Sequence, residues 1–272
     1  MENNIDITVI IPIHEFNESV EKYLISALDT VQKQDGIDHK PEVLIVYATI
    51  IEKELKFSIQ NILKDLDLKI SLIKNNEKTD FQSQINLGVE NVKTNWFTIL
   101  EYDDELSTTY FKQGLIHIDA FNDVDLFLPI IVEVNDDQQA LKLTNETVWS
   151  KHFVGQNGII GYLNSNSLNQ YTDFKISGGL FKKSEFIAVG KLKTNIKLTF
   201  AYEFLLRLIN NGGKVYTIPK IGCKHLATRK GSLFHEISQT MNLKERKFWF
   251  ETAKKEYNFF NDRIIDQSVL TN

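Results

Sequence analysis

The chain has 272 residues, of which 42% are hydrophobic, enough for a substantial core in one large domain or two fused halves. Its 31 basic and 36 acidic residues give a formal net charge of −5, which provides no global attraction to nucleic acid or to an anionic membrane. The only cysteine, Cys223, excludes an internal disulfide and a cysteine-based zinc site, so a reducing, cytoplasmic location is expected.

The first half of the sequence alternates predicted strands and helices. The β-branched run Ile7–Ile13 indicates a strand buried on both faces, which Pro12 should end. This run is too short for a signal peptide or a membrane span, and we expect no transmembrane segment. Apolar residues with helical spacing predict a helix over 19–34, stopped by Gly36. Strands are then predicted over 42–48, 69–73 and 96–100, with helices over 53–66 and about 80–92.

This alternation predicts an α/β fold with a mainly parallel mixed sheet sandwiched by helices. Ligands of such sheets bind beyond the carboxyl ends of the strands. The loops at 14–17, 47–50 and 101–105 are therefore candidates for a binding site.

The pattern changes after about residue 135. A strand over 125–134 is followed by a long stretch rich in Asn, Gln, Ser and Gly, which we interpret as loops and short elements on one side of a cleft. A helix over 198–210, a strand over 214–218 ended by Pro219, and an aromatic-rich helix over about 243–260 complete the prediction. We expect that last helix to pack across the sheet, and its aromatic residues could supply a dimer or membrane-proximal surface.

A cluster of acids follows the strand predicted at 96–100. Glu101, Asp103 and Asp104 would repel one another and are costly to desolvate without a partner. Such oxygen ligands suit Mg²⁺ or Mn²⁺, which commonly complete their coordination with substrate phosphate. A solvated acidic turn is the alternative that spacing alone leaves open.

The order of motifs resembles the family 2 type glycosyltransferases of the GT-A fold. The segment ITVIIPIHEFNESV resembles the opening strand and helix of that family, and FQSQINLGVENVKTNWFTILEYDDEL resembles its N-x-G helix leading into a D-x-D-D-like motif. Later, GGLFKKSEFIAVG and YEFLLRLINNGGKVYTIP resemble the segments on either side of the acceptor loop. The resemblance implies one GT-A-like domain over 1–272, with a nucleotide-sugar-binding half at 1–135, an acceptor-side half at 136–240 and a C-terminal helix at 241–272.

The resemblance implies metal-dependent transfer of a sugar from a nucleotide diphosphate sugar, for which a UDP-sugar is one expectation, to an acceptor hydroxyl, with inversion. A glycan, lipid-linked or protein acceptor is implied, a nucleic acid acceptor is not expected, and a homodimer is an open possibility. The implied metal ligands for Mn²⁺ or Mg²⁺ are Glu101, Asp103, Asp104 and His225. The implied donor-binding residues are Pro12, His14, Tyr47, Asn86, Asp103 and Arg229.

The sequence departs from the family pattern at several positions. Tyr47 stands near the usual aspartate after the second strand, where it could stack on a base or pack in the core. Glu101 replaces the first acid of the motif. The family places its catalytic base in a Glu-Asp pair shortly before an arginine, but Phe200 and Ala201 stand there. Glu203 is the nearest acid and is the expected base, unless it is solvated or pairs with Arg207 four residues along the helix.

Other readings remain open at this point. A degenerate GT-A domain that binds without catalysis is the main alternative, because the usual base position is not acidic. A lone histidine such as His225 is often structural, which leaves its role as a ligand open. A nucleotidyltransferase-like enzyme is a weaker option, since PIHEFNES lacks the glycine and basic residue of a phosphate loop.

Overall fold

The structure is a computed structural model that describes residues 6–62, 64, 66–76, 78–146, 161–227, 229 and 240–257. Within this part of the chain the strands β1 to β10 lie at Ile7–Ile13, Glu42–Ala48, Ile70–Asn75, Trp96–Ile99, Glu105–Leu106, Leu126–Val134, Ala140–Thr144, Tyr162–Leu163, Leu180–Lys182 and Val215–Leu226. The helices α1 to α8 lie at Glu18–Gln32, Glu52–Ile62, Phe81–Asn91, Tyr110–Ala120, Ser165–Gln170, Lys183–Ala188, Phe200–Asn210 and Leu243–Glu256. A short 3₁₀ turn, Thr49–Ile51, precedes α2.

All ten strands belong to one sheet with the order β3-β2-β1-β4-β9-β6-β10-β5, while β7 pairs with β6 and β8 with β10. Strands β1 to β4 are mutually parallel, as is the pair β6 and β10. Strand β9 runs antiparallel between β4 and β6. Helices cover the sheet, and apolar side chains form two clusters of buried residues. The predicted α/β architecture, a mainly parallel mixed sheet sandwiched by helices, is confirmed.

Helix α3 lies unusually close to the sheet. A Cβ atom added at Gly88 would come within 2.7 Å of Ile10 Cγ2 and 3.1 Å of Val46 Cγ2. Glycine at this position therefore permits the helix backbone to approach β1 and β2. The helix begins at Asp80, whose carboxylate accepts a hydrogen bond from the backbone nitrogen of Ser83 at 2.9 Å.

The structure corrects several predicted elements. Strand β10 continues through Pro219 to Leu226, with irregular register between Ile218 and Cys223; a proline is tolerated at such a bulge. Helix α4 lies in a stretch for which the sequence predicts no element, while β7, one of the short elements expected after residue 135, is an antiparallel partner of β6. Helix α8 packs against α7 rather than across the sheet, and residues 258–260 of the predicted helix lie outside the described residues.

Candidate active site

Three chain segments meet at one edge of the sheet. Strands β1 and β4 are parallel neighbours. Because β9 is antiparallel to both β4 and β6, and β10 is parallel to β6, β10 runs in the same direction as β1 and β4. The loops after β1 and β4 and the end of β10 therefore lie at the carboxyl edge, where open α/β sheets bind their ligands.

Glu101, Asp104 and His225 form a compact cluster at this edge. The loop after β4 turns back on itself, and the backbone nitrogen of Asp104 donates to the carbonyl of Glu101 at 3.0 Å. His225 Nδ1 lies 2.8 Å from Asp104 Oδ1. One ligand atom from each of the three side chains lies within 4.8 Å of the other two. Asp104 is completely buried, whereas Glu101 and His225 are partly exposed.

The chain before β9 fixes the orientation of Asp104. The hydroxyl of Ser177 donates to Asp104 Oδ2 at 3.0 Å. The next residue, Gly178, has a φ of +70°, which favours glycine. Its nitrogen donates to the carbonyl of Ile99 at 2.7 Å, and its carbonyl accepts from the hydroxyl of Tyr110 at 2.7 Å. Asp104 is thus held through one oxygen by Ser177 and through the other by the histidine.

The Asp104 carboxylate lies close enough to Glu101 to disfavour its ionisation. Burial and the nearby Asp104 carboxylate raise the pKa of Glu101 to about 7 and also raise the pKa of Asp103. Burial acts to lower the pKa of His225, but the Asp104 carboxylate outweighs it, and the net pKa is raised. A divalent cation would relieve this crowding. Two carboxylates and an imidazole fit Mn²⁺ or Mg²⁺, so the residues present are compatible with the implied metal.

Asp103 points away from that cluster and pairs with Arg229. Arg229 Nε donates to Asp103 Oδ2 at 2.6 Å, and its Nη1 donates to Glu15 Oε1 at 3.2 Å. The guanidinium lies over the ring of Tyr102, 5.1 Å from its centroid, and the Tyr102 hydroxyl donates to Glu15 at 2.9 Å. Asp103 was expected among the metal ligands, but in this structure it holds the arginine, because Arg229 supplies the charge that the carboxylate needs.

His14 stands beside this second group. Its Nε2 lies 3.9 Å from Glu15 Oε1, and its ring centroid is 6.2 Å from that of Tyr102. Burial lowers the pKa of His14, against the opposing effect of the Glu15 carboxylate. The imidazole is therefore neutral at pH 7 and partly exposed, which suits contact with a nucleotide.

Three of the expected donor-binding residues are used elsewhere. Pro12 is buried within β1, opposite Val46. Tyr47 is only 2% exposed and packs in the core, which is the second of the two roles considered for it. The side-chain amide of Asn86 donates to the carbonyl of Leu192 at 2.8 Å and accepts from its nitrogen at 3.0 Å. Each of these residues thus has a structural role in the protein, and its donor-binding role stays a prediction.

The structure places the expected catalytic base, Glu203, in a buried ion pair. Glu203 is completely buried, and its carboxylate accepts from Arg207 Nε at 2.9 Å and from Arg207 Nη2 at 3.0 Å. Lys193 Nζ lies 3.0 Å from the same carboxylate, and the Tyr257 hydroxyl also donates to it. These surroundings match the alternative of a partner for Arg207, and the role of Glu203 as the base stays a prediction.

Sequence reasoning missed Glu15 and Ser177. Glu15 lies in the polar loop after β1, a region recognised as a candidate, but its contact with Arg229 joins residues 214 positions apart. Ser177 precedes a pair of glycines, and that pair is the only local signal of a tight turn at this point.

Comparisons with known proteins agree with this geometry. The model of the family described as Glycosyl transferase family 2 matches residues 8–184. A search of curated proteins found no significant match. Among solved structures, S. aureus TarS 1-349 superposes with a TM-score of 0.59 at 15% identity, covering 82% of this chain and 61% of that one.

Two further structures carry ligands. TarS 1-349 in complex with UDP-GlcNAc has a TM-score of 0.59 at 16% identity, covering 84% of this chain and 60% of that one. The mannosyltransferase PcManGT from Pyrobaculum calidifontis, in complex with GDP-Man and Mn²⁺, has a TM-score of 0.61 at 15% identity, covering 88% of this chain and 62% of that one. The chain thus spans about three fifths of the length of these structures, and the likeness shows the shared fold.

Proposed function

The chain belongs to glycosyl transferase family 2, and from this premise we propose that it transfers a sugar from a nucleoside diphosphate sugar to an acceptor hydroxyl in a metal-dependent, inverting reaction. The observation that carries the proposal is the cluster of Glu101, Asp104 and His225 at the carboxyl edge, with ligand atoms within 4.8 Å. Complexes of similar folds with UDP-GlcNAc and with GDP-Man and Mn²⁺ support it.

Each residue of the cluster has a distinct task in this proposal. Glu101, Asp104 and His225 would hold the cation, and Ser177 keeps Asp104 oriented through its hydroxyl. When bound, a divalent cation neutralises negative charge on the diphosphate leaving group. Arg229 lies beside the cluster as a fixed positive charge that suits phosphate oxygens. We assign to His14 a contact with the nucleotide, since its neutral ring is partly exposed at the same edge.

The buried state of Glu203 favours a second candidate. The Glu203 carboxylate is buried and paired with Arg207. At the family's usual base position this chain has Phe200 and Ala201, neither of which is acidic. A domain that binds a nucleotide sugar without transferring it is therefore the alternative. A glycan, a lipid-linked molecule or a protein remains the proposed class of acceptor for the enzyme.

Binding is tested first, by titrating Mn²⁺ and following thermal stability with UDP, GDP and their sugars, each with and without metal. Wild-type protein should be stabilised by metal alone and more strongly when metal and nucleotide are both present. Asp104→Asn should abolish this shift and weaken Mn²⁺ binding by roughly 100-fold, because loss of even an outer partner of a ligand costs about 10–100-fold. Asp119→Asn, an exposed acid on α4, is the matched control. An unchanged shift in Asp104→Asn would contradict the proposed site.

Catalysis is tested separately. Release of nucleoside diphosphate from each donor, alone and with candidate acceptors, should depend on metal and on Asp104. If metal-dependent binding is present and no donor is ever hydrolysed or transferred, the binding module is the correct reading.

A further inference from the structure

Helix α8 packs against the rest of the protein through one face. Ala253 and Tyr257 are buried on this face, and Phe250 packs edge-on against Tyr202 of α7, with ring centroids 5.4 Å apart. The hydroxyl of Tyr257 donates to Glu203. These contacts fix which side of α8 points outward.

The outward side carries a pair of large aromatic residues. Phe248 is 60% exposed and Trp249 is 45% exposed, and their rings meet edge to face at 5.4 Å. Single apolar residues on a surface need no explanation, but adjacent aromatic residues on a helix whose opposite face is already buried indicate a contact surface.

The charge of α8 is opposite in sign to that of the whole chain. The helix has five basic and three acidic residues, whereas the chain has a formal charge of −5. Three exposed lysines form no ion pair with any other described residue: Lys244, Lys247 and Lys255. Two of the three acids are already neutralised, because Glu251 pairs with Lys254 at 3.0 Å and Glu256 with Lys193 at 3.2 Å. Glu245 alone opposes the unpaired lysines.

We propose that the outer face of α8, defined by Lys244, Lys247, Phe248, Trp249 and Lys255, docks on an anionic lipid surface. Lys244 lies one turn before Phe248 and Lys255 two turns after it, so cationic and aromatic side chains share one side of the helix. Tryptophan and phenylalanine rings bind at the interface between lipid headgroups and acyl chains, while lysines bind anionic headgroups. Among the described residues, none of the helices has the length and hydropathy of a membrane span.

Charge also distinguishes a lipid surface from a second copy of the chain. A two-fold dimer through this face would place the same patch opposite itself. The unpaired lysines of the two copies would then lie opposite each other and repel. Glu245 is the only acid of each helix that could offset this repulsion, because Glu251 and Glu256 are already paired. An anionic lipid surface complements the same lysines without this repulsion.

Cosedimentation of the full chain with phosphatidylcholine vesicles, with and without phosphatidylglycerol, tests the proposal. We expect binding only to the anionic vesicles, a decrease with added salt, and a blue shift of tryptophan fluorescence. The double variant Phe248→Ser, Trp249→Ser should lose about tenfold or more in partitioning, and so should Lys244→Glu combined with Lys255→Glu. The matched control is Phe57→Ser, which removes an aromatic residue that is 71% exposed on α2.

The remaining outcomes overturn the inference. Wild-type protein that stays in the supernatant with anionic vesicles contradicts it, as does equal loss of binding in Phe57→Ser. A dimer in size-exclusion chromatography that the Phe248 and Trp249 double variant dissociates would assign the face to a second copy instead. These measurements do not involve sugar transfer, so their failure leaves the proposed function unaffected.

Discussion

The Glu203 cluster predicts a large loss of stability in Glu203→Ala. The side chain is 1% exposed, and it neutralises Arg207, which is 9% exposed, through two hydrogen bonds of 2.9 and 3.0 Å. Removing one partner of a buried ion pair typically costs about 3–5 kcal/mol. Arg207 would still donate to the carbonyls of Val189 and Lys191. We therefore expect a loss in the free energy of unfolding at the lower end of this range, about 3 kcal/mol.

Urea denaturation followed by circular dichroism measures this effect. The midpoint should fall with little change in the slope, since the surface exposed on unfolding hardly changes. Glu54→Ala, an exposed acid in the first turn of α2, is the control and should change stability by no more than about 0.5 kcal/mol. Replacing both partners together, as Glu203→Leu with Arg207→Met, should recover part of the loss, because no unpaired charge remains buried.

Urea denaturation together with an assay of nucleotide-sugar hydrolysis distinguishes a structural from a catalytic role of Glu203. A variant that unfolds at the wild-type urea concentration but no longer hydrolyses a nucleotide sugar would refute the reasoning and restore Glu203 as the base.

The pH dependence of stability gives a second check of the role of Glu203. Burial raises the pKa of Glu203, but its hydrogen bonds with Arg207, Tyr257 and Lys193 outweigh this, so the pKa lies below the ordinary 4.5. Its contribution is therefore complete above pH 4.5 and is lost as pH falls through the lowered pKa; Glu203→Gln should flatten this decline.

Three further outcomes are expected. Gly88→Ala should destabilise the fold by up to about 2 kcal/mol in urea denaturation, because overpacking against Ile10 costs about 1–3 kcal/mol while alanine gains about 1 kcal/mol in helix propensity; a gain in stability would contradict the close approach of α3. Ser177→Ala should weaken Mn²⁺ binding about tenfold in calorimetry through the loss of its bond to Asp104, and unchanged affinity would mean that the hydroxyl does not orient that carboxylate. Asp103→Asn should leave Mn²⁺ affinity little changed yet weaken nucleotide binding, whereas loss of metal binding would return Asp103 to the metal ligands.

The fold was largely predictable because the parallel strands are buried on both faces. Strands β1 and β2 appear with the predicted bounds, since a β-branched run with flanking loop residues leaves few alternatives. Strand β10 was predicted too short because the sequence shows Pro219 but not the bulge that accommodates it. Helix α4 was missed, and two of its contacts reach far along the chain: Gly114 lies against Leu180, and the hydroxyl of Tyr110 reaches Gly178.

The site was predictable only in part. Three of the four expected metal ligands come together, Glu101, Asp104 and His225, because strand order places their loops at one edge. The sequence could not distinguish Asp103 from Asp104, since adjacent residues in a turn point in different directions according to their partners. Arg229, 126 positions away from Asp103, decides that direction.

The position of the missing base connects the acidic edge with helix α8. Where the resembled family has an acidic pair, this chain has Phe200 and Ala201, and the nearest acid binds Arg207, Lys193 and Tyr257. Tyr257 follows α8, so the carboxylate that sequence reasoning assigned to proton transfer instead anchors the helix whose outer face carries the exposed aromatic pair. The start of α7 therefore serves docking of α8 in this chain. Under the proposed transfer reaction we expect the group that takes the acceptor's proton to come from another segment at the carboxyl edge, so transfer assays on variants of that edge should be more informative than assays on Glu203.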